Sequence, residues 1–191
     1  MKDKFQFYLK RRIFGALQRS TMVIVLLGYM GSGKSTVGRS LAQELGLSFT
    51  DLDVFIEAKM DQSISEVFQE KGEVFFRKKE HDLLKEWLKT YKSGVLALGG
   101  GTPCYAGNME LILQHTNNVI YLRLTVPSLV NRLKKEKEHR PVIAHLTNET
   151  LPEFIGNHLF ERATFYNQAP FTVPCDHKSV DKVVAEILKL I

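Results

Sequence analysis

The fold of this chain is decided by the stretch Gly28-Tyr29-Met30-Gly31-Ser32-Gly33-Lys34-Ser35. It fits the pattern G-x-x-x-x-G-K-[ST], and it lies between the apolar run VIVLLG at 23–28 and a helical pattern. Glycines let the backbone wrap so that its N–H groups point at phosphate oxygens, and the start of the helix adds positive potential. The stretch therefore predicts a cradle for a nucleoside triphosphate, in which Lys34 can reach the β- and γ-phosphates and Ser35 can bind Mg²⁺.

Outward from the cradle, short apolar runs alternate with helical patterns. Strands are predicted at 23–28, 48–53, 94–100, 118–124 and 171–173, and the long helical region at 54–92 is interrupted near Gly72. This alternation is typical of an α/β fold with a parallel sheet and helices on both of its faces. Ligands of such sheets bind where the strands end, which is where the cradle lies.

Length and charge exclude several classes of protein. The 191 residues suit one domain, and no apolar run approaches the roughly 18 residues of a membrane span. The net charge of +5 lies in residues 1–21, while residues 22–191 carry equal numbers of acidic and basic side chains. A balanced body argues against nucleic acid as a partner. The two cysteines, Cys104 and Cys175, indicate reduced thiols and a cytoplasmic protein.

Residues 1–21 are predicted to form a basic N-terminal arm outside the core. The arm has no catalytic role in this interpretation, and it lacks the apolar region and cleavage site of a secretory signal. Residues 22–191 would form the complete domain, and a start at Met22 would also supply it.

Two carboxylates are the first candidates for binding Mg²⁺ and the molecule that accepts the phosphoryl group. Asp51 and Asp53 flank Leu52 at the end of the second predicted strand, where a period of two places both on one face. One carboxylate could hold a magnesium-bound water, and the other could accept the proton of an attacking hydroxyl. A solvated strand end, or the N-cap of the next helix, remains the structural alternative.

A run of three glycines at 99–101 ends the third predicted strand. Its N–H groups could donate to a substrate at close range, although a loose turn would look the same in the sequence. Arg77 and Arg162 could grip a carboxylate in bidentate fashion, whereas most helical arginines are simply solvated. Arg140 precedes a proline after a charged run, and a mobile segment ending there could close over the γ-phosphate.

Several classes of nucleotide-binding protein are compatible with these motifs. A GTPase would usually carry an N-K-x-D segment, which this sequence lacks. A gluconate-type or nucleotide-type kinase on the same scaffold remains an alternative, because gluconate also combines a carboxylate with hydroxyls. A nucleotide-binding module without activity is a further alternative, against which Lys34, Ser35 and Asp53 argue together.

The chain resembles the shikimate kinases, a P-loop family of the nucleoside-monophosphate-kinase type. The resemblance covers residues 22–191 and rests on six motifs in the family's order. They are GYMGSGKSTVGRSLA, FTDLD, FFRKKE, LGGGTP, HRPVI and ERATFY.

The resemblance implies a three-layer P-loop kinase fold with a five-stranded parallel sheet of order 2-3-1-4-5. It also implies a helical subdomain for shikimate, a mobile lid at about 133–147, and a monomer. The implied reaction is the ATP-dependent phosphorylation of the shikimate 3-hydroxyl to 3-phosphoshikimate.

The resemblance further implies a role for each site residue. Asp53, Lys34 and Arg140 would be catalytic, with Asp53 as the base, and Ser35 and Asp51 would hold Mg²⁺. Shikimate would be bound by Asp53, Arg77, Gly100, Gly101 and Arg162. ATP would be bound by Gly31, Ser32, Gly33, Lys34, Ser35, Thr36, Arg132, Arg140 and Lys178. The chain departs from the family near the adenine, where Pro174-Cys175 replace Asp-Thr and Val180 replaces a proline.

Overall fold

A computed structural model describes residues 21–137 and 140–191 of the chain, so the predicted arm, apart from Thr21, lies outside the described residues. The sheet has five strands in the order β2-β3-β1-β4-β5, and every pairing between neighbours is parallel. This confirms the expected architecture. The strands are β1 (Val23–Leu27), β2 (Phe49–Asp51), β3 (Gly94–Ala97), β4 (Val119–Arg123) and β5 (Phe171–Pro174).

Helices connect the strands within the described ranges. They are α1 (Lys34–Leu45), α2 (Leu52–Met60), α3 (Ile64–Thr90), α4 (Asn108–His115), α5 (Val126–Leu133), α6 (Pro141–Ala144), α7 (Leu151–Tyr166) and α8 (Val180–Ile187). A short 3₁₀ turn covers Thr102–Cys104 after β3. None of these helices is both long and apolar enough to cross a membrane.

The central strand β1 forms the middle of the hydrophobic core. All five of its residues are buried, which requires covered faces on both sides of the sheet. Helix α1 packs against α8, and α5 packs against α7. This buried centre fixes the end of β1, and therefore the position of the loop that follows it.

The predicted strands exist, but two of them end two or more residues earlier than predicted. The second strand ends at Asp51 rather than at residue 53, because Asp51 caps the helix that starts at the next residue. The third strand ends at Ala97, and the remaining predicted strand residues form a turn. The predicted interruption near Gly72 is present as a kink in α3, where this glycine has φ 78°.

Two helical glycines differ in the space around them. A methyl group on Gly38 in α1 would lie 2.4 Å from Cε2 of Phe49, whereas one on Gly156 in α7 would meet no heavy atom within 4 Å. We expect Gly38→Ala to lower the free energy of unfolding by about 1–3 kcal/mol through overpacking. Gly156→Ala should raise it by up to about 1 kcal/mol, because alanine has the higher helix propensity.

Urea unfolding of both variants beside the wild type measures these changes in stability. A Gly38→Ala variant as stable as the wild type would show that α1 does not lie this close to β2.

Candidate active site

The loop between β1 and α1 forms the predicted cradle. Gly31 and Gly33 have φ of 77° and 92°, a conformation that favours glycine, and Gly33 is the N-cap of α1. The ammonium group of Lys34 donates to the carbonyl oxygens of Gly28 and Tyr29, at 2.9 and 3.0 Å. The side chain is thus folded over the loop whose N–H groups can receive an anion.

Next to the cradle, the side-chain oxygen atoms of Ser35 and Asp51 are in contact. The hydroxyl of Ser35 donates to Oδ2 of Asp51 over 2.6 Å, and Oδ1 of the same carboxylate accepts the N–H of Asp53 at 3.2 Å. Asp51 is therefore the N-cap of α2, and Asp53 lies in the first helical turn. The prediction that both aspartates alternate on one strand was wrong, although the turn still brings both to the same cavity.

That cavity has a volume of about 600 Å³ and opens at the carboxyl ends of the strands. It is lined by parts of the cradle, by both aspartates and by the turn after β3. The charged side chains that line it are Lys34, Asp51, Asp53, Arg132, Lys135, Glu136 and Arg140. The four cations and three carboxylates make it a polar chamber next to the phosphate cradle.

Burial shifts the pKa of two of these groups toward neutrality. The pKa of Asp53 is raised from 3.8 to about 6, mainly by burial and then by the negative charge of Asp51. The pKa of Lys34 is lowered from 10.5 to about 8 by burial, against which both aspartates act. Asp53 therefore becomes a much better proton acceptor than an exposed aspartate, while it remains ionised at neutral pH.

The turn of three glycines at 99–101 is the meeting point of the predicted acceptor groups. A Cβ on the first glycine would lie 2.6 Å from Oδ1 of Asp53. A Cβ on the second would lie 3.6 Å from Nη1 of Arg162, and one on the third 2.8 Å from Nη2 of Arg77. The first and third glycines thus make room for Asp53 and Arg77, while the second lies at ordinary contact distance from Arg162.

Both arginines are held rather than freely solvated. Arg77 pairs with Glu80 over 2.8 Å and with Glu73 over 3.2 Å, and its guanidinium lies 4.1 Å from the centre of the Tyr105 ring. Arg162 stacks over the buried ring of Tyr29 at 5.5 Å. These contacts aim two guanidinium groups at adjacent residues of one turn.

The buried carboxylate of Glu80, which pairs with Arg77, was not predicted from the sequence. Glu80 is almost fully buried, accepts a hydrogen bond from the hydroxyl of Thr102 at 2.6 Å, and thereby ties α3 to the turn after β3. Asn108, also buried, donates to the carbonyl of Thr102 over 2.8 Å. The position of Glu80, three residues after an arginine on a helix, was the signal that could have identified it.

The remaining predicted residues lie on the other side of the cradle. Arg132 donates to the carbonyls of Gly31 and Ser32 at 3.2 and 3.4 Å. Lys178 pairs with Glu186 over 2.6 Å. A second cavity of about 200 Å³ lies here, and its lining includes Ser32, Gly33, Thr36, Arg132, Cys175, Lys178 and Val180.

The predicted lid is described except for residues 138 and 139. Arg140 lines the large cavity and pairs with Glu136 over 2.6 Å. Lys137 donates to the carbonyl of Leu146, which joins two parts of the segment. Arg140 therefore lines the same chamber as Lys34 and the two aspartates.

Known proteins of similar sequence point to one family. The sequence model of the family described as shikimate kinase matches residues 30–191. A shikimate kinase of Flavobacterium psychrophilum is 46% identical over 169 residues, which cover 88% of this chain and 98% of that protein.

Solved structures give the same result. A crystal structure of shikimate kinase from Bacteroides thetaiotaomicron has a TM-score of 0.82 at 33% identity, covering 88% of this chain and 97% of that one. Shikimate kinase from Acinetobacter baumannii in complex with shikimate has a TM-score of 0.81, also at 33% identity, with 92% and 96% covered.

Fold and site together define a P-loop kinase, an ATP-dependent phosphotransferase. Within that class, the match over most of the chain is specific. The chain belongs to the shikimate kinase family.

The raised pKa of Asp53 predicts an effect on stability. The folded state binds the Asp53 proton more tightly than the unfolded state does, so ionisation destabilises the fold once the pH exceeds about 4. We expect Asp53→Asn to raise the free energy of unfolding by on the order of 1 kcal/mol above pH 6, and to have little effect near pH 3.5.

Urea unfolding at pH 3.5, 5 and 8 measures this pH dependence. Asp61→Asn makes the same chemical change at an exposed position and should leave stability nearly constant. A variant no more stable than the wild type at pH 8 would contradict the destabilising burial of Asp53.

Proposed function

We propose that this protein transfers the γ-phosphoryl group of ATP to the 3-hydroxyl of shikimate, giving 3-phosphoshikimate and ADP. The reaction is a step of the shikimate pathway, which leads through chorismate to the aromatic amino acids. The observation that carries the proposal is the glycine turn at 99–101, where one carboxylate and two guanidinium groups converge beside the phosphate cradle.

The chemistry of shikimate fits these three groups. It carries one carboxylate, for which Arg77 and Arg162 offer paired N–H donors, and the Gly100 and Gly101 amides add backbone donors. It carries three hydroxyls, for which Asp53 offers an acceptor. Because Asp53 has a pKa of about 6, it is ionised at neutral pH and can take the proton of the attacking hydroxyl as the phosphoryl group transfers.

ATP fits the other half of the site. The amides of residues 31–36 would hold its phosphates, and Lys34 would exchange its bonds to two loop carbonyls for the β- and γ-phosphates. Arg132 and Lys178 border the second cavity, which suits the adenine end. Arg140 would move with the lid at 133–147 and neutralise charge on the γ-phosphate, while the closed lid would exclude water.

The donor set next to the cradle also fits Mg²⁺. Ser35 and Asp51 present hard oxygen atoms 2.6 Å apart, and Mg²⁺ is usually held by one or two carboxylates together with substrate phosphates and water. In residues 21–137 and 140–191 there is no cluster of three or more acidic, His or Cys side chains suited to a metal. We assign Mg²⁺ to Ser35 and Asp51 because of this donor set, and the ion would offset charge on the phosphates there.

We further infer a monomer that acts in the cytoplasm, with residues 22–191 as the working domain. All residues proposed for both substrates belong to one chain, so no partner subunit is needed to complete the site. Cys104 and Cys175 are free cysteines, and thiols are kept reduced in the cytoplasm. Deletion of residues 1–21 should leave turnover unchanged if the arm has no catalytic role.

A coupled assay of ADP release tests the proposed function. We expect turnover with shikimate and ATP-Mg²⁺, and at least about a hundredfold lower kcat/KM with gluconate, quinate or a nucleoside monophosphate. Preferred turnover of gluconate or of a nucleoside monophosphate would refute the proposal in favour of another kinase on this scaffold.

Replacing the proposed base should separate binding from turnover. Asp53→Asn keeps the side-chain volume but removes the proton acceptor and its charge. We expect kcat to fall by about 10²–10⁴-fold, while the affinity for ATP stays within about threefold of the wild type. Steady-state kinetics and calorimetric ATP binding measure both quantities, and a kcat within a few-fold of the wild type would remove Asp53 from the mechanism.

Replacing one guanidinium should affect shikimate more than ATP. Arg77→Ala removes a charged donor remote from the transferred phosphoryl group, so we expect the KM for shikimate to rise by about 10–100-fold with little change in the KM for ATP. Arg39→Ala is the control, since Arg39 is exposed and contacts the Phe49 ring. Equal shikimate KM values for the two variants would contradict a carboxylate contact by Arg77.

A further inference from the structure

Tyr166 is the last residue of helix α7 and is fully buried. Its hydroxyl lies at the glycine turn of the acceptor site. Oη donates a hydrogen bond to the carbonyl oxygen of Gly100 over 2.6 Å. The guanidinium of Arg162, one helical turn earlier, lies beside the same peptide, since its Nη1 is 3.6 Å from where a Cβ on Gly100 would be. The phenol oxygen thus holds a peptide of the glycine turn that is also next to the arginine proposed to bind the carboxylate.

The peptide that Tyr166 holds lies close to both halves of the site. A Cβ on Gly100 would lie 3.3 Å from the backbone nitrogen of Met30, 3.6 Å from Nη1 of Arg162 and 3.7 Å from the carbonyl oxygen of Gly28. The second glycine of the turn therefore lies between the phosphate cradle and the arginine. A shift of this peptide would change the geometry on both sides.

Core packing explains the ring of Tyr166 but not its oxygen. The ring packs against that of Tyr121, with centres 5.1 Å apart. A phenylalanine would fill the same space without burying a polar atom, and a buried hydroxyl is unfavourable unless it is hydrogen-bonded. Burial raises the pKa of Tyr166, so the phenol keeps the proton that it donates to Gly100.

We infer that Tyr166 is a positioning residue of the acceptor site, whose hydroxyl fixes the Gly100 carbonyl beside the Arg162 guanidinium. The inference rests on the proposed function, because it assigns the held groups to the carboxylate of shikimate. Tyr166 does not touch the reacting atoms. It acts by presenting the turn amides and Arg162 in a single geometry, so that binding does not have to order them.

The test compares Tyr166→Phe with Tyr121→Phe, which deletes the same atom from the neighbouring ring. We expect Tyr166→Phe to raise the KM for shikimate about tenfold, with kcat and the KM for ATP within about threefold of the wild type. Tyr121→Phe should leave all three values unchanged. In an Arg162→Lys background, the effect of Tyr166→Phe should shrink to less than about threefold, because the two groups act as a unit.

Several outcomes would overturn the inference. Equal shikimate KM values for Tyr166→Phe and Tyr121→Phe would do so, as would an equal rise in the KM for ATP, which indicates general loosening. Full additivity with Arg162→Lys would also contradict it. A wild type that is inactive on shikimate refutes the proposed function and this inference with it, whereas an active wild type with a silent Tyr166→Phe overturns only the inference.

Folding of the variants is checked by thermal unfolding before the kinetics. If Tyr166→Phe does not fold, all measurements are repeated in a Gly156→Ala background. That change lies on the same helix, meets no neighbouring heavy atom and should stabilise the host protein. The same comparison with Tyr121→Phe then decides the question.

Discussion

The site depends on the close packing of functional side chains against the glycine turn at residues 99–101. A Cβ on Gly99 would lie 2.6 Å from Asp53 and one on Gly101 2.8 Å from Arg77, which is too close for a side chain, while Arg162 lies at contact distance from Gly100. The turn follows β3, which pairs in parallel with the central strand β1, so it lies beside the loop that follows β1. This close packing of backbone against functional side chains places an acceptor pocket next to a phosphate cradle.

Electrostatics in the shared cavity follow from the same packing. Burial lowers the pKa of Lys34 to about 8 and raises that of Asp53 to about 6, so both groups are poorly solvated in their charged forms. Groups of this kind gain more from a charged ligand than exposed groups do, because less water must be displaced when the ligand binds. Lys34 can therefore bind a triphosphate at one end of the chamber, and Asp53 can bind a hydroxyl at the other.

Much of the fold could be predicted from the sequence, because it depends on local patterns. Apolar runs and the Gly-rich motif locate the strands and the cradle, while the strand order came from the family resemblance. Contacts between distant segments could not be predicted. The helical position of Asp53 depends on the capping by Asp51, and the hydrogen bonds of Glu80 and Tyr166 depend on a turn far away in sequence. Side-chain periodicity carries no information about such pairings.

The proposed reaction requires that one ring hydroxyl of shikimate is aligned between Asp53 and the end of the cradle. A crystal structure with shikimate, Mg²⁺ and a non-hydrolysable ATP analogue would show this alignment. We expect the 3-hydroxyl oxygen within about 3 Å of the Asp53 carboxylate and in line with the γ-phosphorus, with the shikimate carboxylate at Arg77 and Arg162. A 3-hydroxyl that points away from the γ-phosphorus, with Asp53 far from it, would rule out Asp53 as the base of the reaction.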